Sequence, residues 1–389
     1  MNNNRNHPPR RYLDNAATTW PKPEVVWKAW EQAARENGVA AGRGAYHEAL
    51  MAGDLVHQLR QEVAALLGVS PERICLPVSA TFGLNQAIHG VVTSGTHVIA
   101  TAADHNATLR PLHYLQEKGR IQLSVVPCDG RGWVDPDDIV RAWQANTSLV
   151  TLSHASNVTG VTQEVESIVK VAREREALSL LDASQSIGHV AVSQYESIAD
   201  IVVSPGHKWL MGMHGIAVLY ARQGIHFDPL IQGGTGSTSE SLEMPVEMQD
   251  QVEVGTIDFP AAAALLAGCR WLKEERLESV AAACKGYAQA CYDELSDIRG
   301  VRVITPDPTS GVLGPPIISM VCDGYSPVEV AALFEQIAGV QVRSGYHCAA
   351  CIHEFLGTTK GGTVRISFGP FSDIGDVEAV VSATKKIML

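Results

Sequence analysis

Lys208 lies in the segment SPGHKWLMG (204–212), between two apolar runs that have the character of buried strands. A charged amine at such a position costs free energy unless its nitrogen has a chemical role. A desolvated lysine that loses its proton is a good nucleophile for an aldehyde. Asp182 ends another apolar run, LSLLDASQ (178–185), and a carboxylate can keep a pyridine nitrogen protonated. The two residues together predict pyridoxal 5'-phosphate as a cofactor, bonded covalently to Lys208.

Other residues supply groups that this cofactor requires. His105, directly after HVIATAAD (97–104), can stack on the ring, and Gln185 can donate a hydrogen bond to the phenolic oxygen. The segment SATFGLN (79–85) predicts a turn that enters a helix, whose N-terminal amides would bind phosphate. His207, adjacent to the lysine, is a further donor.

Seven short apolar runs between about residues 70 and 220 alternate with helical patterns. They are RICLPV, HVIATA, IQLSVV, SLVTLSH, LSLLDAS, DIVVS and GIAVLY. This alternation predicts a mostly parallel sheet covered on both faces. Several runs end directly in polar residues, and ligands of open α/β sheets bind at the carboxyl ends of the strands. We therefore expect the chemistry to converge at that edge.

The pattern changes after VGTIDFP (254–260), where a long helical stretch is followed by alternating strands and helices. We predict three parts: an N-terminal segment (1–24) that packs with the smaller domain, a large cofactor-binding domain (25–262) and a small C-terminal α/β domain (263–389). Because no low-complexity linker separates the domains, we expect them to share a cleft.

Composition narrows the class of partner and the location. The net charge of -12 disfavours nucleic acid and anionic membrane surfaces as main partners, so small molecules and proteins are favoured. The N-terminus has no apolar signal region, and the longest apolar stretch is too short to span a bilayer. We expect a cytoplasmic protein.

Eight cysteines are scattered over the chain, which does not indicate a disulfide framework in a protein without an export signal. Cys348 and Cys351 form a CAAC motif, but no second pair follows at the spacing of a zinc site. No metal is therefore predicted.

The chain is similar to the class V aminotransferase-fold enzymes and resembles their cysteine desulfurase and selenocysteine lyase branch. The resemblance runs from YLDNAATTWPKP to GTVRISFGPFSDIGDVE, with matching segments in family order: DNAATT, GRGAYHEA, SATFGLN, DHNATLRPL, SHASNVTG, DASQSIG, SPGHKW, VGTIDFP, and RSGYHCA followed by GTVRISFG. It implies a pyridoxal phosphate-dependent transferase of fold type I. Such a protein is a homodimer whose large domain contains a mostly parallel seven-stranded sheet.

The resemblance also implies a role for each matched residue. Lys208 would carry the cofactor, with Asp182 at the pyridine nitrogen, His105 over the ring and Gln185 at the phenolic oxygen. Asn157 would lie near the ring and the substrate carboxylate, which Arg365 would bind as a bidentate partner. The phosphate would be held by Thr81, Ser204 and His207, together with Gly255 and Thr256 of a neighbouring subunit.

Cys348, in RSGYHCA (343–349), occupies the position of the family's nucleophile. The implied reaction removes sulfur from L-cysteine, giving alanine and a persulfide on Cys348, with Lys208 removing the α-proton. We expect His347 or Arg343 to lower the pKa of the Cys348 thiol, and Arg343 is also a candidate substrate contact. A sulfur-acceptor protein would be a further partner.

Three positions depart from the family pattern. Pro205 replaces the Ser or Thr that relatives carry before GHK, so that Ser204 would have to supply the phosphate hydroxyl. Tyr346 stands where many relatives carry a second histidine, which removes a two-histidine proton relay. Cys351 lies three residues after Cys348, and we hypothesise that it receives the sulfur of the persulfide.

Two other interpretations remain open from the sequence. The chain could have another class V activity (selenocysteine lyase, cysteine sulfinate or C–S β-lyase, aminotransferase or epimerase), some of which leave Cys348 as a bystander. It could also be a non-catalytic cofactor-binding partner protein, since Pro205 and Tyr346 depart from the family. Asp182 could in addition cap the helix that follows it.

Overall fold

The computed structural model describes residues 9–36, 38–41, 44–190, 192 and 194–389, so the first eight residues of the predicted N-terminal segment lie outside the described residues. In these ranges the strands are β1 (Arg11–Tyr12), β2 (Ile74–Cys75), β3 (Thr96–Thr101), β4 (Ile121–Val126), β5 (Thr147–Ser153), β6 (Leu178–Asp182), β7 (Ile201–Pro205), β8 (Ala217–Ala221), β9 (Val301–Val303), β10 (Ile317–Cys322), β11 (Val340–Gln341), β12 (Arg343–Gly345) and β13 (Thr363–Ser367).

The helices of the same ranges are α1 (Glu24–Glu36), α2 (His47–Leu67), α3 (Ala80–Val91), α4 (Asn106–Glu117), α5 (Pro136–Arg141), α6 (Val165–Glu174), α7 (Tyr195–Ile198), α8 (Met248–Val252), α9 (Phe259–Glu274), α10 (Leu277–Ser296), α11 (Pro327–Ala338), α12 (Ile352–Phe355) and α13 (Ile374–Ile387).

The central sheet has the strand order β2-β8-β7-β6-β5-β3-β4. Strands β3 to β7 are mutually parallel, whereas β8 runs antiparallel to both of its neighbours. The connection 206–216 between β7 and β8 is shorter than the dozen or so residues that a parallel crossover needs. The predicted α/β fold with a mostly parallel seven-stranded sheet is confirmed, and each of the seven apolar runs contributes one strand.

Both faces of this sheet are buried, as a sheet built by crossovers requires. Neighbouring residues of one strand belong to different apolar clusters: Leu181 packs with α2, α6 and α9, and Leu180 packs with α3, α4 and α8. Because successive side chains of a strand point to opposite faces, a continuous apolar run such as LSLL fills both layers.

A second sheet of order β12-β13-β10-β9 is antiparallel and forms a core of its own with α10, α11 and α13. The N-terminal strand β1 pairs in parallel with β11, and Leu13 packs into this second core. The predicted domain boundary between 262 and 263 falls inside α9, which packs against α1 and α2, and the boundary stays a prediction.

Within the described part of the chain, no helix is both long and apolar enough to cross a membrane.

Candidate active site

A cavity lies at the carboxyl edge of the central sheet. Seven residues predicted from the sequence line it: Thr81, His105, Asn157, Asp182, Gln185, His207 and Lys208. They converge because β5, β6 and β7 end side by side, with Asp182 paired in register with Ser153 and Val203.

Lys208 lies half-buried in the turn that follows β7. Burial, together with the guanidinium groups of Arg365 and Arg343, lowers the pKa of its amine to about 8, although Asp182 opposes the shift. A lysine with this pKa is neutral far more often at pH 7 than an exposed lysine, so the surroundings of Lys208 favour a nucleophilic amine.

Asp182 and Gln185 are held in place by hydrogen bonds. Oδ1 of Asp182 accepts from the backbone N–H of Ser184 at 2.9 Å, but residues 184–189 form turns, so the expectation that Asp182 caps a helix directly after it is wrong. The amide of Gln185 donates to the carbonyl of Ala16 at 2.9 Å and accepts from the indole of Trp209 at 3.0 Å. A carboxylate oxygen and one amide proton therefore remain for a ligand.

His105 caps the first turn of α4. Its Nδ1 accepts from the backbone N–H of Ala107 at 3.0 Å, so the neutral ring carries its proton on Nε2. Burial lowers the pKa of His105 to about 4, and the cation of Lys208 adds to this shift. At neutral pH the side chain is an uncharged aromatic ring, which suits stacking.

The other end of the cavity is suited to an anion. Helix α3 begins there with Ser79 as its cap, and Thr81 lies in its first turn. His207 stacks on His214 with ring centroids 4.5 Å apart, and its buried Nδ1 has no hydrogen-bond partner among the described residues. Burial lowers the pKa of His207 to about 3. First-turn amides and an unsatisfied ring nitrogen are the kinds of donor that would form a cradle for phosphate.

Ser204 does not belong to this cradle. Its side chain is buried, and Oγ donates to the carbonyl of Ala183 at 3.4 Å, while the neighbouring Pro205 lines the cavity instead. The expectation that Ser204 replaces the missing hydroxyl at position 205 is therefore not supported, because the alternation of β7 turns successive side chains in opposite directions.

Gly255 and Thr256 lie outside this cavity in the single chain. They line a second cavity, together with Val78, Phe82 and Ile231. Their predicted contact requires a neighbouring subunit and stays a prediction.

Arg365 of β13 is 1% exposed, and its guanidinium is held from two sides. Nη2 donates to Asp14 at 2.8 Å and Nη1 donates to the carbonyl of Asn157 at 3.0 Å, whereas Nε is buried without a partner. Burial lowers the pKa of Arg365, and Asp14 opposes that shift. On the neighbouring strand, Arg343 lies directly opposite Arg365.

Cys348 lies in a strained loop beside this pair. His347 and Cys348 have φ angles of 51° and 58°, a left-handed region that non-glycine residues rarely adopt. Backbone contacts hold the loop in place: Asn106 donates to the carbonyl of Cys348 at 2.7 Å, and Asn157 donates to that of His347 at 2.6 Å. In this loop conformation Cys348 is exposed and lies next to the start of α4.

Arg343, and not His347, contacts the thiol. Nη2 of Arg343 lies 3.3 Å from Sγ of Cys348. The imidazole of His347 is buried and bonds through Nε2 to Oγ1 of Thr363 at 2.9 Å. Burial, with a contribution from the guanidinium of Arg365, lowers the pKa of His347 to about 2, so this ring carries no positive charge at neutral pH.

The two other departures from the family pattern lie nearby. The hydroxyl of Tyr346 donates to the carbonyl of Thr359 at 2.7 Å, so its proton is already used in a hydrogen bond within the chain. Cys351 is exposed at the start of α12, and burial of its thiol, followed by Glu354 and Asp104, raises its pKa. The other six cysteines are buried.

Sequence reasoning missed three residues at this site: Asp14, Lys22 and Asp104. Asp104 is fully buried and accepts from the backbone N–H groups of Thr101 and Ser153, tying the ends of β3 and β5 together. Burial raises the pKa of its carboxyl to about 6. All three residues lie within segments that match the family or directly beside them, and this was the only signal in the sequence that could have identified them.

In the described ranges, no group of three or more His, Cys, Asp or Glu residues is placed to hold a metal.

Comparison with known proteins gives consistent matches. A family model described as aminotransferase class-V matches residues 11–380. A probable cysteine desulfurase of Methanothermobacter thermautotrophicus is 30% identical over 384 residues, which is 97% of this chain and 94% of that protein. The solved cysteine desulfurase of Thermococcus onnurineus NA1 has a TM-score of 0.88 and 27% identity, covering 97% of this chain and 94% of that one. The cysteine desulfurase CsdA of Escherichia coli is similar in fold, with a TM-score of 0.86, 23% identity, and coverage of 96% and 94%.

Proposed function

Because the chain belongs to the aminotransferase class-V family, we propose that it is a pyridoxal phosphate-dependent cysteine desulfurase, which converts L-cysteine to alanine and leaves a persulfide on Cys348. One observation carries the proposal. Lys208, Asp182 and His105 line a single cavity, and the exposed thiol of Cys348 is held beside it by the bond from Asn106.

The residues present fit this cofactor. When bound, pyridoxal phosphate supplies an aldehyde for an amine and an electron sink for the α-carbon of an amino acid. Lys208 would hold the aldehyde, Asp182 the ring nitrogen and Gln185 the phenolic oxygen. The unsatisfied Nδ1 of His207 and the first turn of α3 with Thr81 would hold the phosphate.

The chain's own groups divide the remaining work. The substrate carboxylate would bind Arg365, whose buried guanidinium is kept in orientation by Asp14 and by the carbonyl of Asn157. The amine of Lys208, with a pKa of about 8, would remove the proton from the α-carbon of the substrate and would later return a proton to that carbon.

Sulfur transfer then takes place at Cys348. Its Sγ forms a bond with the substrate sulfur as the bond between that sulfur and the β-carbon breaks, and the electron pair of the broken bond goes to carbon. Arg343 stabilises the attacking thiolate by a charge-assisted hydrogen bond. Since Cys348 is exposed, a sulfur-acceptor protein can reach the product.

A homodimer is part of the proposal. The second cavity, which contains Gly255 and Thr256, is bordered by exposed apolar side chains, with Val78 57% and Ile231 50% exposed. Exposed apolar surface of this kind marks interfaces, and a two-fold axis would bring Thr256 of one subunit to the phosphate end of the other. The cytoplasmic location stays a prediction.

Product analysis tests the function. Wild type and Cys348→Ala are supplied in parallel with L-cysteine, selenocysteine and cysteine sulfinate in the presence of dithiothreitol, which reduces the persulfide and is oxidised to its disulfide, and alanine and sulfide are measured. We expect sulfide from cysteine with the wild type alone. Full turnover of cysteine by Cys348→Ala would identify a different class V activity. Borohydride reduction and peptide mapping should place the cofactor on Lys208, and a wild type without label there would contradict cofactor binding.

A further inference from the structure

Trp209 directly follows the proposed cofactor lysine, and its side chain is 2% exposed. Its indole Nε1 donates a hydrogen bond of 3.0 Å to Oε1 of Gln185. Gln185 lines the cavity and is the residue proposed to contact the phenolic oxygen of the cofactor, whereas Trp209 does not line the cavity. An effect of the indole on a bound cofactor would therefore pass through the Gln185 amide.

Two neighbours fix the orientation of the Gln185 amide. The indole N–H of Trp209 can only donate, and the carbonyl of Ala16, which lies 2.9 Å from Nε2 of Gln185, can only accept. An amide turned over would place N–H against N–H and oxygen against oxygen, and would lose both bonds. Because the amide nitrogen carries two protons and Ala16 takes one of them, this orientation leaves the second proton for an acceptor in the cavity.

The indole is in turn held by residues from three parts of the chain. Its ring packs with Ala16 of the N-terminal segment and with Ile317 of β10. The imidazole of His189 stands edge-on to it, with ring centroids 4.3 Å apart and an interplanar angle of 87°. Burial lowers the pKa of His189 to about 3, so this neighbour is an uncharged ring at neutral pH. These contacts keep the N–H of Trp209 aimed at Gln185.

Apolar packing alone does not account for a tryptophan at this position. Phenylalanine would offer Ala16 and Ile317 an aromatic ring without a polar N–H, and a buried N–H costs free energy unless it finds an acceptor. Gln185 is itself buried, so that loss of the indole donor would leave its Oε1 without a hydrogen bond among the described residues. What the indole N–H adds is a restraint on the amide.

We propose that Trp209 is a positioning residue, whose indole N–H holds the Gln185 amide in the orientation that offers its second proton to the phenolic oxygen of the cofactor. The inference rests on the proposed function, because it takes the cavity as the site of pyridoxal phosphate.

A pH titration of the visible absorbance of the cofactor-loaded protein tests this role without turnover. A donor at the phenolic oxygen stabilises negative charge there, so its loss should raise the pKa of the bound chromophore. For Gln185→Leu we expect a rise of about 0.5 to 1 unit, which corresponds to one net hydrogen bond. Trp209→Phe should raise this pKa by a comparable amount. The double variant should show no rise beyond that of Gln185→Leu.

Two controls separate positioning from packing. Trp271→Phe changes a tryptophan that stacks on Phe371 and does not line the cavity, and it should leave the titration unchanged. The melting temperature of Trp209→Phe should fall because buried volume is lost, but a merely structural tryptophan would lower it without moving the titration. If Trp209→Phe does not fold, Trp209→Met, which fills irregular space and also lacks a donor, should show the same rise.

A titration curve of Trp209→Phe, or of Trp209→Met in its place, that superimposes on the wild-type curve would overturn the inference. An equal rise with and without Gln185 would also overturn it, because Trp209 would then act through the neighbouring Lys208. Failure of the proposed function has a different signature. In that case the wild-type protein itself would have no visible chromophore to titrate and no pyridoxal phosphate on Lys208 after borohydride reduction.

Discussion

Arg343 donates from Nη2 to Sγ of Cys348 at 3.3 Å, and the same arginine lies opposite Arg365 in the pairing of β12 with β13. Two adjacent guanidinium groups are thus available for two tasks. The buried Arg365 is anchored by Asp14, whereas Arg343 extends to the thiol. We interpret Arg365 as the carboxylate partner and Arg343 as the partner of the nucleophile.

Replacement of Arg343 tests this division. A charge-assisted hydrogen bond is worth about 1.5–3 kcal/mol, so Arg343→Ala should lower kcat for sulfide release by about 10- to 100-fold. Arg343→Lys should recover part of the loss. Steady-state kinetics with L-cysteine measures both variants, and an increase in KM at unchanged kcat would show instead that Arg343 binds the substrate.

His105 has two separable roles, because its Nδ1 caps α4 while its ring faces the cavity. His105→Phe keeps a ring but loses the cap and should be less stable by about 1 kcal/mol. His105→Asn keeps a capping side chain and should bind pyridoxal phosphate up to about tenfold more weakly, since it loses the ring contact. Urea denaturation and equilibrium binding measure the two effects. Equal cofactor affinity of the two variants would argue against stacking.

Capture of the cofactor should depend on the protonation of Lys208. Burial lowers the pKa of its amine to about 8, so the rate of capture by cofactor-free protein should rise about tenfold per pH unit below that value and level off above it. Stopped-flow measurement of visible absorbance follows the reaction, with Lys208→Ala as the control. A rate that keeps rising toward pH 10 would indicate an ordinary, exposed lysine.

The lowered pKa of Lys208 also makes the free energy of unfolding depend on pH. The folded pKa of Lys208 lies below its ordinary value of 10.5, so between about pH 8 and 10.5 the unfolded chain binds more protons than the folded one. The contribution of Lys208 therefore makes the free energy of unfolding of cofactor-free protein rise with pH in this window. Comparison of the wild type with Lys208→Met by urea denaturation isolates this slope.

Cys351 is the hypothesised acceptor of sulfur from Cys348. Attack of the Cys351 sulfur on the outer sulfur of the persulfide would give a Cys351 persulfide and regenerate the Cys348 thiol. Since burial and Glu354 raise the pKa of Cys351, the transfer should be faster at alkaline pH. Mass spectrometry of sulfur-loaded protein should find sulfur on both residues. Sulfur on Cys348 alone, with no effect of Cys351→Ala, would contradict the hypothesis.

The sequence by itself determined the fold class and seven of the residues that line the cavity. Continuous apolar runs between helical patterns define strands of a parallel sheet, and Asp182 and Lys208 follow the ends of such runs. Because parallel strands end at one edge, residues that are far apart in the chain could be placed together from local patterns alone. The family resemblance supplied the position of Cys348.

Only the tertiary structure decided which polar groups meet. Asp14 pairs with Arg365 across almost the whole chain, Lys22 reaches the turn before Lys208, and Arg343 contacts Cys348 while His347 turns toward Thr363. Ser204 points away from the cavity that Pro205 lines. A hydrophobic pattern specifies which residues are buried, whereas the partner of a buried polar group depends on the exact packing of elements that are distant in sequence.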